Sequence, residues 1–130
     1  GDEINVAEAG RNYGWPLVSW GTHYDGRDIP DPPTRPDLAG SLHHWTPSIA
    51  PSGMVFYQGD LFPAWRDDVL VGALAGQALV RVKFDGLKKV EEERIPMRAR
   101  IRDVRTTPDG AIWLLTDADD GRLLRLTPER

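Results

Sequence analysis

The residues with the most evident chemical potential lie in "MRARIRDVRTTPDG" (97–110), where Arg98, Arg100 and Arg102 occupy every second position just before a turn. Side chains of an extended segment alternate between its two faces, so three arginines at this spacing would project along one side. Each guanidinium is permanently charged, and its planar fork of N–H donors suits a carboxylate or phosphate bound through paired hydrogen bonds. Three clustered cations therefore require an anion, or water. Without a ligand, the same pattern describes a solvated edge strand whose charges discourage pairing with other chains. A second candidate is Asp2–Glu3, adjacent hard oxygen donors of the kind calcium takes, with a loop carbonyl ten residues later able to complete a site. Adjacent acids in a turn are also commonly just solvated.

The chain that must position these groups has 130 residues, 40% of them apolar, enough for the core of one ordinary domain. It carries 20 acidic and 16 basic residues, a net charge of −4. That balance argues against nucleic acid as the main partner, because phosphate binding draws on a surplus of Lys and Arg. The arginine stripe is a local feature of an acidic chain. No run of about 18 apolar residues is present, which excludes a helical membrane span, and "GDEINVAEAG" lacks the basic start and apolar run of a signal peptide. The absence of cysteine rules out disulfides and thiolate metal sites and leaves the compartment open.

Apolar stretches are short, rich in Val, Leu, Ile and aromatics, and broken by Gly, Pro and Asp-Gly turns, which predicts an all-β chain. Expected strands cover 3–8, 53–58, 68–74, 77–84, 100–106, 111–116 and 122–127, with turns at "KFDG" (83–86) and "TPDG" (107–110). The proline-dense stretch 26–47 reads as a long irregular excursion, not a paired element. "LVGALAGQALVRV" (70–82) and "LLTDADDGRLLRL" (114–126) overlay without a gap at an offset of 44 residues. A repeat of this length containing several short strands marks a β-propeller, whose blades are four-stranded antiparallel sheets. At this period the chain holds roughly three blades at most, fewer than the four to eight that close a ring.

Four stretches read together, "GDEINVAEAGRNYGWP" (1–16), "WTPSIAPSGMVFY" (45–57), "VGALAGQALVRV" (71–82) and "RIRDVRTTPDGAIWLLTD" (100–117), resemble the C-terminal part of the soluble quinoprotein glucose/sorbosone dehydrogenases, most closely the bacterial aldose sugar dehydrogenases that use pyrroloquinoline quinone (PQQ). The resemblance implies a six-bladed propeller of four-stranded antiparallel sheets, of which this partial β-propeller forms about the last two blades. On that basis 1–25 ends a preceding blade, 26–47 is a Pro-rich loop, 48–96 a blade, and 97–130 a final blade lacking its outer strand. It also implies that Arg100 and Arg102 of the R-x-R-D motif bind carboxylates of the quinone, while Arg98 and Arg105 stay solvated. Ala73, Leu74 and Ala75 correspond to a second cofactor-contacting loop, where the family often has a lysine at the position of Ala75.

The resemblance further implies a structural calcium at Glu3 and Tyr13, with Asp25 a weaker third candidate. It places Tyr24 at the substrate entrance and His43 and Trp45 before the cofactor-facing blade. Aromatic and imidazole groups suit sugar recognition, although an aromatic in an all-β chain is core by default. The family's general base, a histidine of an earlier blade, has no counterpart in context among His23, His43 and His44, so no catalytic residue is assigned. The implied function is the C-terminal portion of a PQQ-dependent dehydrogenase oxidising the C1 hydroxyl of aldoses to lactones, periplasmic or secreted, completed by the remaining blades or a complementary chain. By itself the chain is then expected to be inactive and to expose sheet edges. The alternative is a non-catalytic partial propeller acting as a binding or scaffold module.

Overall fold

Val69–Ala73 is an unbroken apolar run, the pattern of a strand covered on both faces, and all five of its residues are buried. In the computed structural model, which describes residues 1–129, this run is one of nine strands. They are β1 (Asp2–Ile4), β2 (His43–Trp45), β3 (Pro51–Phe56), β4 (Val69–Ala73), β5 (Ala78–Asp85), β6 (Lys88–Pro96), β7 (Ile101–Thr106), β8 (Ile112–Thr116) and β9 (Leu123–Leu126). Two single-turn 3-10 helices, Pro32–Thr34 and Pro63–Trp65, are the other regular elements, and the described residues contain no α-helix. All pairings between these strands are antiparallel. Two compact units emerge, one over Gly1–Ile49 and one from Ala50 onward. Arg130, the last residue of the expected final blade, lies outside the described residues.

The second unit holds a four-stranded sheet in the order β3-β4-β5-β6 and a three-stranded sheet in the order β7-β8-β9. Both are meanders, two successive blades of a partial β-propeller. The 44-residue echo falls on β4–β5 and β8–β9, the second and third strands of each sheet. Tyr57, Leu70 and Leu79 of one sheet and its connections join Ile101, Val104, Ile112 and Leu114 of the other in a single fully buried cluster. Tyr57 adds a polar tie across it: its hydroxyl donates to Gly110 O (2.7 Å) and accepts from Phe62 N–H (3.1 Å). At the far end of β4 and β5, buried Arg81 donates to Asp68 (2.6 Å) and Glu93 (3.0 Å), pairs with Glu91, and lies over the Trp65 ring. A charge in that position is tolerated only because its donors are met by carboxylates.

Close approach of β7 to the first sheet depends on two glycines. A side chain at Gly53 would come within 2.9 Å of the Asp103 Cα, and one at Gly72 within 2.7 Å of Ser52 Oγ and 2.9 Å of Ile101 Cγ2. In the space left free, the Ser52 hydroxyl lies 2.7 Å from Ile101 O and 3.0 Å from Gly72 O.

Three elements depart from the sequence expectation. β6 (KKVEEERIP) is a strand although its pattern is charged, because it is the outermost of its sheet and most of its residues are exposed, so solvation and not burial shaped its composition. In the first unit, the stretch 26–47 is not free of pairing: β2 pairs with β1 in the register Asp2↔Trp45, Glu3↔His44, Ile4↔His43. Thr22 and Asp28 also form an isolated bridge around a tight turn. No proline falls between Pro36 and Pro47, which leaves the backbone donors of 43–45 available for a ladder. The expected strand at 3–8 shortens to Asp2–Ile4, because Val6 O instead accepts the Tyr13 hydroxyl and Glu8 N donates to it (2.9 Å).

Gly53→Ala is expected to lower stability by about 1–3 kcal/mol, since backbone of β7 must give way to the added methyl. A urea unfolding midpoint unchanged from the parent protein would contradict the close approach.

Candidate functional site

The β7–β8 hairpin positions the arginines. Its turn is closed by Gly110 N–H to Thr107 O (2.8 Å), and pairing runs from Thr106↔Ile112 to Asp103↔Leu115 before the register shifts to Ile101↔Thr116. Arg102 sits in that irregularity, a β-bulge of the kind that re-aims a side chain. Beyond it, Asp117 N–H donates to Arg100 O (2.8 Å), which sets Asp117 opposite Arg100. The result is a three-residue cluster in which Arg100 Nε donates to Asp117 Oδ2 (2.9 Å) while Arg102 Nη2 and Nε donate to Oδ1 (3.2 and 3.4 Å).

Hydrogen bonds from Arg100, and next from Arg102, hold the Asp117 carboxyl below its ordinary pKa. About half of each arginine side chain remains exposed, 47% for Arg100 and 50% for Arg102, so the cluster faces solvent. One carboxylate serves two cations, leaving an unmatched positive charge and, among the described residues, N–H donors in excess of acceptors on both forks. Those donors are the right chemistry for further carboxylate groups. Arg105 pairs with Asp103 (3.2 Å), and Arg98 stands off the strand in a left-handed conformation (φ 55°). The expectation of a stripe thus holds for Arg100 and Arg102 and fails for Arg98.

Ala73 and Leu74 are buried, whereas Ala75, Gly76 and Gln77 are exposed on the turn between β4 and β5. Only that turn, and not the first two side chains, is free to meet a ligand. Gln77 and Arg100 line one cavity, so the turn and the arginines share an end of the second unit.

In the first unit, Glu3 lies in β1 with Asn5 Nδ2 donating to its carboxylate (3.2 Å), while Ser48 donates to Asp2. The Tyr13 hydroxyl closes the 6–13 loop, and Asp25 is engaged by Arg27 (2.8 Å), whose backbone N–H and side chain draw its pKa down. No group of three or more His, Cys, Asp or Glu able to hold a metal occurs among the described residues. Tyr24 is fully exposed at the mouth of a cavity of about 1200 Å3 that it shares with Trp15, Trp20 and Asp28. His44 stacks on Trp20 (4.0 Å), and His43 lies edge-on to buried Trp45 (4.7 Å).

Asp117 is the site residue that reading the sequence missed. Counting outward from the "TPDG" turn points toward it, but a regular ladder would set it opposite Ile101; the bulge at Arg102 moves it opposite Arg100.

The glucose/sorbosone dehydrogenase family model matches residues 1–125 of the chain. Aldose sugar dehydrogenase YliI of Escherichia coli is 43% identical over 133 residues, covering 98% of this chain and 36% of that protein. A crystal structure of a glucose dehydrogenase superposes with a TM-score of 0.88 at 44% identity, covering 98% of this chain and 38% of the other. The PQQ-bound aldose sugar dehydrogenase of Streptomyces coelicolor gives a TM-score of 0.66 at 25% identity, over 97% of this chain and 36% of that one. The chain spans about a third of the length of the curated relatives it matches.

Because the folded-state pKa of Asp117 is depressed, its pairing stabilises the fold above the ordinary carboxylate range, and that contribution is lost as pH falls from about 4 through the folded value. Asp117→Asn should therefore lower the urea midpoint at pH 7 and converge with the parent protein in acid. Parallel curves throughout that range would show that the carboxylate is not paired.

Proposed function

The chain belongs to the glucose/sorbosone dehydrogenase family, and on that premise we propose that it is the cofactor-anchoring portion of a PQQ-dependent dehydrogenase oxidising the C1 hydroxyl of aldoses to lactones. The observation that carries this reading is the shared carboxylate: Arg100 and Arg102 converge on Asp117 and keep donors and a net positive charge for an added polyanion. The donor set fits a cofactor bearing several carboxylates. When bound, the quinone supplies the hydride-accepting chemistry; the chain supplies orientation and charge. Asp117 holds both guanidiniums in place beforehand, which lowers the ordering cost of binding. Exposed backbone around Ala75 and Gly76 adds neutral contacts where a lysine would add charge.

Tyr24 is proposed to meet the sugar through its ring. No residue of this chain is assigned as general base. For calcium, Glu3 offers one carboxylate, already receiving the Asn5 amide, and Tyr13 contributes through its carbonyl. These donors fall short of the about six to eight oxygens that calcium takes. The working enzyme is proposed to comprise the remaining propeller blades as well and to act in the periplasm or outside the cell. One feature, Ala75 in place of a cation, favours the alternative of a non-catalytic binding module.

Binding of PQQ to the purified protein, followed by the absorbance of the bound quinone, separates these readings. Arg100→Gln and Arg102→Gln should each weaken binding by about tenfold or more, the effect of losing one charge-assisted interaction. Ala75→Lys should tighten it. Equal affinity in the double arginine variant would remove the anchor from this strand, and an absence of binding would leave the module reading.

A further inference from the structure

Ten of the described arginines are ion-paired to a carboxylate. Among the described residues, Arg98 and Arg122 are the two arginines without such a partner. Both line the same cavity, of about 600 Å3, beside Gln77, Met97 and Leu124. Their backbones are held firmly. Arg98 (φ 55°) and Gln77 (φ 47°) are both in the left-handed region, which side-chain-bearing residues avoid unless the surroundings compel it, and Met97 N–H to Gln77 O (2.9 Å) ties the two segments. Arg122 N–H donates to Thr116 Oγ1 (2.7 Å), and Thr116 N–H donates to Arg122 O (3.0 Å).

The lining charges favour an anion. Arg100 and Asp117 also reach this wall but are engaged with each other, so Asp120 is the remaining acid against two unpaired guanidiniums. This cavity adjoins the cofactor anchor and shares Arg100 and Asp117 with it, but it is centred on a different pair of arginines. Arg102 is absent from its lining, and the cavity extends to Leu124 on β9, two strands away from β7.

We propose that this cavity is an oxyanion-binding subsite in which Arg98 and Arg122 hold the phosphate or carboxylate group of a small anionic ligand. Each fork can give two parallel hydrogen bonds to such a group. The Gln77 amide adds a neutral donor, and Met97 and Leu124 give the body of the ligand an apolar wall. Two cations lining one cavity without a carboxylate partner raise its potential, and a bound anion relieves that excess of charge.

The test is a titration of the purified protein, at low ionic strength, with inorganic phosphate and separately with citrate, following by NMR the backbone amide resonances of Gln77, Ala99 and Ala118, which line the cavity and are unchanged in every variant. A saturable shift of these amides is expected, with affinity weakened at least about tenfold in Arg98→Gln/Arg122→Gln, and the tighter probe tells a phosphate from a carboxylate ligand. Both side chains are on the surface, and Arg98→Lys/Arg122→Lys, which keeps the charge and loses the fork, should fall between the two. Quinone binding should survive the double glutamine variant, and phosphate binding should survive Arg102→Gln. A non-saturating shift or an affinity unchanged in the double glutamine variant, meaning an adventitious ion only, would overturn the proposal. Loss of phosphate binding in Arg102→Gln would also overturn it, by moving the anion to the cofactor anchor.

Discussion

β7 can run against the first blade only because Gly53 and Gly72 present no side chains to it, and much of the second unit follows from that approach. The contact brings Ile101 and Val104 into the same buried cluster as Leu70 and Leu79, and it sets Ser52 Oγ beside Ile101 O. Buried polar groups must find partners, so the serine hydroxyl is confined to the few places where a carbonyl can accept it. The start of β7 is fixed by these demands, and Arg100 and Arg102 flank Ile101. A site whose side chains sit on a packed strand keeps its geometry better than one carried on a free loop.

Charge is distributed by the same logic of position. The chain is acidic overall, yet its arginines serve three different purposes. Arg81 is buried and surrounded by Asp68, Glu91 and Glu93, so its charge is satisfied within the protein. Arg100 and Arg102 share one exposed carboxylate and keep surplus charge at the surface. Arg98 and Arg122 have no carboxylate partner among the described residues and line a cavity. Only the second and third arrangements leave something for a ligand, and these lie at one end of the second unit.

Asp109 shows how the opposite end differs. Thr107, Arg125 and the Ala111 N–H all donate to it, and together they lower its pKa to about 2. Its bonds close the turn between β7 and β8 and leave little capacity for anything else. Asp117 has the same kind of shift but from two arginines whose donors exceed what one carboxylate can accept. The same residue type is structural in one turn and part of a candidate binding site in the other, and the ratio of donors to acceptors makes the difference.

Alternating and continuous apolar runs made β4, β5, β7 and β8 readable from the sequence, because burial on the core side leaves a composition that solvent would not select. The repeat of 44 residues and the R-x-R-D stretch were likewise visible, and with them the blade-like sheets and the arginine pair. β6 was not visible because its faces meet water, and β2 was not because three residues beside prolines carry too little pattern. Asp117 escaped because a bulge changes register without changing any residue type, and Arg98 because it adopts a left-handed backbone next to Met97, whose N–H bonds to the distant Gln77. The sequence by itself determined the buried strands of the two blades and which cations stood near a turn; the exposed and short strands and the partner of each cation were decided only by the tertiary structure, since pairing depends on distances between segments far apart along the chain.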